Sequence, residues 1–274
     1  MKIFNQTPDT CEKDHIKGIF DVLKEKFNDD WGLYVRRHEQ PVFSPETKYG
    51  IVIILSAEGH TYLPPEMNYG WVAGVFMNYL PKNASWTSPG DFVRLTKLYA
   101  LPLGTTDWFK PSYIPIEERL YDFSFIGQYD PYTRQDFYEC VGHLTGNKFI
   151  YFYEGWNKGL GAEEYSRVMS QTKIALVPCG SASFDTFRFY EAASCGCIIL
   201  TKQQNNYDFM QNSPHLPVPS WSSGVVSRYI SKLIQSDLEF LSKKTRKFWE
   251  DHLSPPASAK YIMEKLYESG VIRR

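Results

Sequence analysis

The second half of the chain alternates short apolar runs with longer amphipathic stretches. Apolar runs at residues 122–127, 148–153 and 173–178 have the length and composition of strands that are buried on both faces of a sheet. Residues at about 132–144 and 162–171 have the period of helices, and another helix and strand follow. Strands that alternate with helices predict right-handed βαβ units, and therefore an α/β fold with a parallel sheet.

The first half of the chain is less regular. Its clearest predicted elements are a helix at about 13–27 and strands at 31–36 and 49–55. After residue 201 a proline-rich stretch leads into helical segments that continue to the end of the chain, with a break at Ser254-Pro255-Pro256. A chain of 274 residues is long enough for two small domains, and we expect two.

Polar turns follow the predicted strands at their carboxyl ends, which is the edge where open parallel sheets bind ligands. In the second half these turns contain Gly127, Glu154 with Gly155, and Ser181. Because the strands are parallel, their carboxyl ends meet at one rim of the sheet. The pattern therefore predicts a ligand site that includes these four residues, although a polar loop is also an ordinary way for a strand to end.

The first-half strand at 49–55 runs into a polar turn of its own, which contains Glu58 and His60. A carboxylate and an imidazole at a strand end can act as a general base on a substrate hydroxyl or bind that substrate. Taken singly, each is also a common solvent-exposed residue. We expect these two residues to be the catalytic candidates of the first half.

Composition excludes several classes of function. The chain has 30 basic and 31 acidic residues, a formal net charge of −1, so no overall field recruits nucleic acid, and an anion must be bound locally. No apolar run approaches the roughly 20 residues of a membrane span, and the amino terminus lacks the apolar core of a secretory signal. We expect a cytoplasmic protein, or one peripheral to a membrane, with no cofactor.

Cysteines and aromatic residues suggest weaker alternatives. The five cysteines lack paired metal-ligand spacing and predict reduced thiols rather than a metal site. Cys179, at a strand end, could serve a cysteine hydrolase with His143 or His215, but no acid stands at a recognisable spacing. Among the aromatic residues, which make up 16% of the chain, Trp156 and Trp221 in loops are candidates to contact a ligand.

Residues 173–202 carry the most specific chemistry. A strand leads into a turn of small residues that includes Ser181 and Ser183, where main-chain N–H groups can approach a phosphate and Ser183 can cap the next helix. That helix places Arg188 and Glu191 three residues apart, on one face. The cation suits a phosphate and the carboxylate suits ribose hydroxyls, although such a pair is also common on surfaces, where it is worth well under about 1 kcal/mol.

The sequence from Arg188 through Glu191-Ala192 to the Cys195-Gly196-Cys197 turn and its β-branched strand resembles the sugar-nucleotide motif of GT-B glycosyltransferases, particularly the exostosin-like and CgeB-like families. In those families the glutamate binds the nucleotide ribose and the neighbouring basic residue binds the diphosphate. The resemblance implies these roles for Glu191 and Arg188. Many retaining enzymes of this fold have a second glutamate where this chain has Ser183, so the stereochemical outcome stays open.

A second match lies upstream, where the strand from Tyr121 to Gly127 and the following Arg134 resemble the opening of the family's C-terminal domain. The stretch from Leu98 to Gly104 resembles the segment that precedes that domain, with a hinge at 105–119. The resemblance implies a GT-B-like fold of two Rossmann-like, doubly wound domains, with terminal helices packing across the cleft. We expect an acceptor-side domain at 1–112 and a nucleotide-sugar-binding domain at 113–274.

The function implied by the resemblance is a hexosyl- or related transferase. It would move a sugar from a nucleotide-diphosphate donor, such as a UDP or GDP sugar, to a hydroxyl of a glycan or other acceptor in polysaccharide biosynthesis. Without an Asp-any-Asp motif at a strand end, we expect Arg188, Arg134 and the helix amino terminus to stabilise the leaving diphosphate without a metal. The alternative is a non-catalytic α/β module that binds a nucleotide or sugar.

Overall fold

The structure is a computed structural model, in which the chain folds into two compact units. The first unit contains Met1–Leu103 and Ser254–Arg274, and the second contains Gly104–Leu253. The chain therefore returns to the first unit at its end, whereas the predicted division fell between residues 112 and 113. The structure describes residues 1–56, 63–80, 97–155, 158–180, 185–202 and 207–273.

Strands and helices alternate through most of the described residues. Short 3₁₀ turns and one π-helical turn, Trp249–Leu253, connect some of them. The strands and α-helices, in chain order, are β1 Lys2–Asn5, α1 Lys13–Leu23, β2 Trp31–Arg37, β3 Tyr49–Leu55, β4 Val72–Met77, β5 Leu98–Ala100, β6 Tyr121–Gln128, α2 Pro131–His143, β7 Lys148–Tyr153, α3 Ala162–Ser170, β8 Thr172–Val177, α4 Phe187–Ser194, β9 Ile198–Thr201, β10 Leu216–Pro217, α5 Ser223–Ile234, α6 Leu238–Phe248 and α7 Pro255–Glu268.

The first unit is built on a parallel sheet with strand order β1-β2-β3-β4-β5. Strand β3 is apolar along its length because both of its faces are covered. Ile51, Ile53 and Leu55 share a core with α1 and α7, and Val52 and Ile54 belong to a second core on the other face. This alternation follows from the two-residue repeat of a strand.

Helices α1 and α7 pack closely at Gly18, where an added Cβ would lie 2.6 Å from the Cβ of Pro255. The side chain of Ser254 accepts a hydrogen bond from the Ala257 N–H and caps α7, so the predicted break at Ser254-Pro255-Pro256 separates α7 from the preceding helical turn. Helix α7 thus completes the core of the first unit although it lies at the other end of the sequence.

His15 of α1 is buried in this packing, 3% exposed, with its Nε2 3.3 Å from the Ser258 hydroxyl of α7. Burial lowers the pKa of His15 from 6.5 to about 4. Between these values the unfolded chain binds the proton more readily than the folded one, so stability falls as the pH falls. From pH 7 to pH 5 the loss from this group is on the order of 2 kcal/mol.

We expect His15→Gln to remove this part of the pH dependence. Urea unfolding at pH 7 and pH 5 measures it as the difference between the two free energies of unfolding, compared between variant and wild type. The variant His143→Gln changes an exposed histidine at the end of α2 and is the control. If His15→Gln loses as much stability on acidification as wild type does, the buried imidazole is not the sensitive group.

A buried ion pair lies at the carboxyl end of β2. The Nε and Nη2 atoms of Arg36 donate to the two carboxylate oxygens of Glu66 at 2.6 and 2.8 Å, and the side chains are 4% and 0% exposed. The Nη1 atom donates to the main-chain oxygens of Arg37, His38 and Gln40. One guanidinium group therefore fixes both a carboxylate and the turn after β2.

The second unit has a parallel sheet with strand order β10-β9-β8-β6-β7. Alternate residues of β6, such as Phe123 and Phe125, share a core with α2 and α5, while α3 and α4 cover the other face. The predicted α/β class with two parallel sheets is confirmed. In the described residues, no helix is both long enough and apolar enough to cross a membrane.

Arg119, just before β6, ties together the amino-terminal edge of this sheet. The side chain is 3% exposed and donates to the main-chain oxygens of Ile114, Thr172 and Cys195 at 2.8 Å each. These bonds give a hydrogen-bond donor to main-chain oxygens at the end of α4 and at the start of β8. Both lie at the edge of the sheet opposite the predicted ligand site. We infer a structural role for this arginine.

Candidate functional site

The order of the strands in the second unit reverses between β8 and β6. From β6 the chain moves outward to β7 and then returns to place β8 on the other side of β6. In open α/β sheets the crevice outside the carboxyl ends of the strands, at such a switch point, is where ligands bind. Gly127 and Gln128 at the end of β6, and Cys179 just after β8, border this position.

Arg188, in the first turn of α4, lies over the end of β6. Its Nε donates to the main-chain oxygen of Ile126 at 2.9 Å, and its guanidinium carbon lies 4.5 Å from the centre of the Phe125 ring. The side chain is half-buried. Burial lowers the pKa of Arg188, and the positive charge of Arg134 lowers it further, so a nearby anion would stabilise the ion.

Gly127 is required by the position of this guanidinium group. A Cβ added at residue 127 would lie 2.3 Å from the Nη2 atom of Arg188 and 2.6 Å from the Phe125 ring. Any side chain at this residue would displace the cation from the strand end. The sequence predicts that Gly127 lets the backbone lie close to a ligand. In the structure, the group close to the Gly127 backbone is the Arg188 side chain.

We expect Gly127→Ala to lower the free energy of unfolding by about 1–3 kcal/mol, as overpacking of a filled site does. Under the function proposed below, the same variant should also bind a nucleoside diphosphate several-fold more weakly, since Arg188 must move. Gly142→Ala is the matched control, because an added Cβ there meets nothing within 4 Å inside α2. Thermal unfolding and calorimetric titration measure both effects; a Gly127→Ala protein as stable as Gly142→Ala would contradict this account.

Arg134 is the second cation at the switch point. It lies in the first turns of α2, where its φ of −132° and ψ of 18° interrupt the helix. It is 7% exposed, and its Nε and Nη1 donate to the main-chain oxygens of Cys179 at 2.8 Å and Gln128 at 3.1 Å. The side chain therefore joins the carboxyl ends of β8 and β6.

The two arginines share one electrostatic arrangement. Within the described residues, every hydrogen bond found for either guanidinium group goes to a main-chain oxygen, so neither charge is neutralised by a direct ion pair there. The Nη2 atom of Arg134 and both Nη atoms of Arg188 are not used in these bonds. Two anchored cations with remaining donors at a switch point form a site suited to a dianion such as a diphosphate.

Glu191 lies one turn after Arg188 and is 3% exposed. Its Oε1 accepts a hydrogen bond from the Thr106 hydroxyl at 2.9 Å, and its Oε2 accepts one from the Tyr165 hydroxyl at 2.5 Å. Burial raises the pKa of Glu191, while the bonds from Tyr165 and Thr106 and the charge of Arg188 act against the rise. The structure thus brings Glu191 and Arg188 together on one helix face, as the spacing predicts.

Sequence reasoning missed Thr106 and Tyr165. In α3 the apolar residues Val168 and Met169 follow Tyr165 by three and four positions, which places the tyrosine at the margin of the buried face. That spacing shows that the ring turns inward, but it does not identify the partner of the hydroxyl. Thr106 lies 85 residues from Glu191 in a segment without periodicity, so no sequence signal joins them.

The other predicted residues fall into two groups. Glu154 and Gly155 are exposed after β7, at the same carboxyl edge as Arg134, and Gly155 has a φ of +86°. Their predicted contact with a ligand stays a prediction. Glu58, His60, Ser181, Ser183 and Trp156 lie outside the described residues, so their predicted roles toward a ligand stay predictions.

Two details of the sequence interpretation are corrected. The residue at the N-cap of α4 is Thr186, not Ser183, because the helix begins at Phe187. Trp221 is not a loop residue open to a ligand: it is 3% exposed, and its ring lies 4.9 Å from Phe137 in the core. Burial of a large apolar ring outweighs its position between two elements in the sequence.

The cysteine hydrolase interpretation loses one of its two histidines. His143 ends α2, which starts at the carboxyl edge of the sheet and returns to the amino edge, so it lies at the edge opposite Cys179. His215 is half-buried beside Phe189, with its Nδ1 3.0 Å from the Ser213 hydroxyl. In the described residues, therefore, neither histidine is shown to act as a base for the Cys179 thiol.

Comparison with solved structures identifies the fold. AviGT4, a glycosyltransferase involved in avilamycin A biosynthesis, is similar with a TM-score of 0.60 at 12% identity, over 99% of each chain. HepE of Anabaena, in complex with UDP-glucose, has a TM-score of 0.52 at 10% identity, over 98% of this chain and 100% of that one. Sucrose-phosphate synthase from Thermosynechococcus elongatus has a TM-score of 0.51 at 11% identity, over 99% of each chain.

These neighbours, together with the two parallel sheets of five strands each in the described residues, show the fold of GT-B glycosyltransferases. No family model matches the chain, and a search of curated proteins finds no match. The resemblance to exostosin-like and CgeB-like families therefore stays a prediction.

Proposed function

We propose that this protein is a glycosyltransferase that moves a sugar from a nucleoside-diphosphate donor to an acceptor hydroxyl. The observation that carries the proposal is the pair Arg134 and Arg188, both anchored to main-chain oxygens at the switch point of the second sheet with donors remaining. The fold supports it, because glycosyltransferases share this architecture at low identity. UDP is the first nucleotide to test, since HepE binds UDP-glucose.

In the proposed reaction the bond between the anomeric carbon and the diphosphate oxygen breaks, and the acceptor oxygen forms the new bond. The diphosphate leaves with the electron pair and gains negative charge. Arg188 and Arg134, fixed in place before the reaction, stabilise that charge without reorganising, and we propose that they do so without a metal ion. Glu191 binds the ribose, and Glu58 or His60 accepts the proton of the acceptor hydroxyl.

We assign the donor to residues in the Gly104–Leu253 unit and the acceptor to the amino-terminal unit. The donor assignment rests on the site around β6 and β8. The acceptor assignment rests on the polar residues that follow β3 in the sequence. At the end of this strand the main-chain N–H of Ser56 donates to the Asn78 side chain at 2.7 Å, which fixes the chain immediately before the segment that contains Glu58 and His60.

Two measurements test the proposal. Calorimetric titration with UDP, GDP and ADP asks whether a nucleoside diphosphate binds, and a binding ligand should also raise the melting temperature. Incubation with sugar nucleotides then asks whether free nucleoside diphosphate is released, with and without oligosaccharide acceptors. Binding with release supports a transferase. Binding without release from any donor would favour a non-catalytic module, and absence of binding would overturn the proposal.

A further inference from the structure

The carboxylate of Glu191 is held by two hydroxyl groups from different parts of the second unit. Thr106 lies in the segment that opens this unit, and Tyr165 lies in α3. Their hydroxyls donate to different oxygens of the carboxylate, at 2.9 and 2.5 Å. One bond to each oxygen fixes the plane of the carboxylate as well as its position.

The two donors are themselves held in place. The main-chain N–H of Lys110 donates to the Ser166 hydroxyl at 3.1 Å, which fastens the opening segment to α3 beside Tyr165. The ring of Phe109, 3% exposed, packs edge-on against the Tyr165 ring with centres 5.7 Å apart. The segment that carries Thr106 and the helix that carries Tyr165 are therefore fastened to each other close to both donors, which favours one orientation of Glu191 before a ligand binds.

The carboxylate keeps capacity for a ligand. An ionised carboxylate has about four lone-pair positions; the two hydroxyl bonds and a further contact from the Thr106 main-chain N–H use three of them, which leaves one for a ligand. Burial raises the pKa of Tyr165 well above its usual value, so the phenol stays protonated and donates. The charged and titratable groups that act on this pair are Arg188 of α4 and Tyr153 at the end of β7, and Arg134 acts on Arg188.

We propose that Thr106 and Tyr165 are positioning residues that orient the Glu191 carboxylate toward the two adjacent hydroxyls of the donor ribose, and that they thereby set the preference for ribonucleotides over 2′-deoxyribonucleotides. The inference rests on the proposed function. A carboxylate that is free to rotate would lose part of this preference for ribose, because its remaining acceptor position would no longer be held toward the ribose hydroxyls.

The test compares the affinities of UDP and 2′-deoxy-UDP in wild type, Tyr165→Phe and Thr106→Val. We expect wild type to prefer UDP by roughly tenfold or more, and each variant to reduce that ratio by roughly threefold or more. Tyr34→Phe is the matched control: Tyr34 is also buried, and its hydroxyl is 2.8 Å from the Thr47 hydroxyl in the first unit. The control should leave the ratio unchanged.

The pH dependence of the same ratio separates positioning from general damage to the fold. Both nucleotides carry the same diphosphate, so the ratio reports the ribose contact alone. It should fall at acid pH as Glu191 takes up a proton. In Tyr165→Phe this fall should occur at higher pH, because the lost hydrogen bond stabilised the charged carboxylate.

The outcomes distinguish this inference from the function on which it rests. If wild type binds none of UDP, GDP and ADP, both are overturned. If UDP binds and Arg188→Ala weakens it, while neither Tyr165→Phe nor Thr106→Val changes the ratio or its pH dependence, only the positioning role is overturned. If one variant fails to fold, the other gives the same reading, because each removes one donor of the pair.

Discussion

Replacing Arg188 by alanine is expected to weaken the binding of UDP by roughly tenfold to a hundredfold, corresponding to the 1.5–3 kcal/mol of a lost charge-assisted hydrogen bond. The guanidinium group lies over the end of β6, where a diphosphate at the switch point would meet it. The variant also loses the bond to Ile126 and the contact with the Phe125 ring, which together cost about 1–2 kcal/mol of stability. Because Arg188→Ala is less stable, its affinity for UDP must be measured well below the melting temperature of the variant.

Arg246→Ala is the matched control for this experiment. Arg246 lies in α6 of the same unit, donates to the main-chain oxygen of Ser194, and has its guanidinium carbon 4.8 Å from the centre of the Trp249 ring. Its removal costs the same two kinds of contact, and in addition a partly exposed ion pair with Glu250 at 2.8 Å, all away from the switch point. Stability should therefore fall while the affinity for UDP is retained. If Arg188→Ala binds UDP as tightly as Arg246→Ala does, this arginine does not hold the diphosphate.

Replacing Glu66 by alanine is expected to lower the free energy of unfolding of the first unit by about 3–5 kcal/mol, the cost of breaking a buried ion pair. Arg36 would keep its three main-chain acceptors but lose the carboxylate that neutralises it. A buried cation without a counter-charge is the main source of the cost, more than the lost attraction. Glu66→Gln, which keeps the shape and one acceptor oxygen, should be destabilised less than the alanine variant.

Urea unfolding, followed by tryptophan fluorescence and compared between wild type and variant, measures this effect. Glu264→Ala is the control, because its ion pair with Lys260 is 3.8 Å long and more than half exposed on both sides, and such pairs contribute less than about 1 kcal/mol. If Glu66→Ala lowers the free energy of unfolding by less than about 1 kcal/mol, solvent must reach Arg36 once the carboxylate is removed.

Local pattern predicted the longer elements well. Strands at Tyr49–Leu55 and Lys148–Tyr153 have the predicted bounds, since each is a continuous apolar run of strand length. Helix α1 ends at Leu23 rather than near residue 27, because the chain turns and Phe27 packs against Trp31 at 4.7 Å. That contact lies outside any helical repeat.

Short elements escaped the sequence analysis for a different reason. Strands β5 and β10 have three and two residues, too few to show a repeat, and they exist because a neighbouring strand pairs with them. Strand β4 is a longer apolar run, interrupted by Gly74, and its composition could have been recognised. Helix α7 was predicted as a helix, but its place in the first unit depends on contacts with α1.

The sequence by itself determined the α/β class, the carboxyl edge at which polar residues gather, and the common helix face of Arg188 and Glu191, because these depend on repeats of two or about four residues. Tertiary structure alone decided the reversal of strand order at β6, the anchoring of both arginines to main-chain oxygens at the strand ends, and the bonds from Thr106 and Tyr165 to Glu191. Most of those contacts join residues 26 to 85 positions apart, whereas the bond from Arg134 to Gln128 spans six. They form because burying a charged or polar group requires a partner, and the packing of the chain determines which partner is within reach.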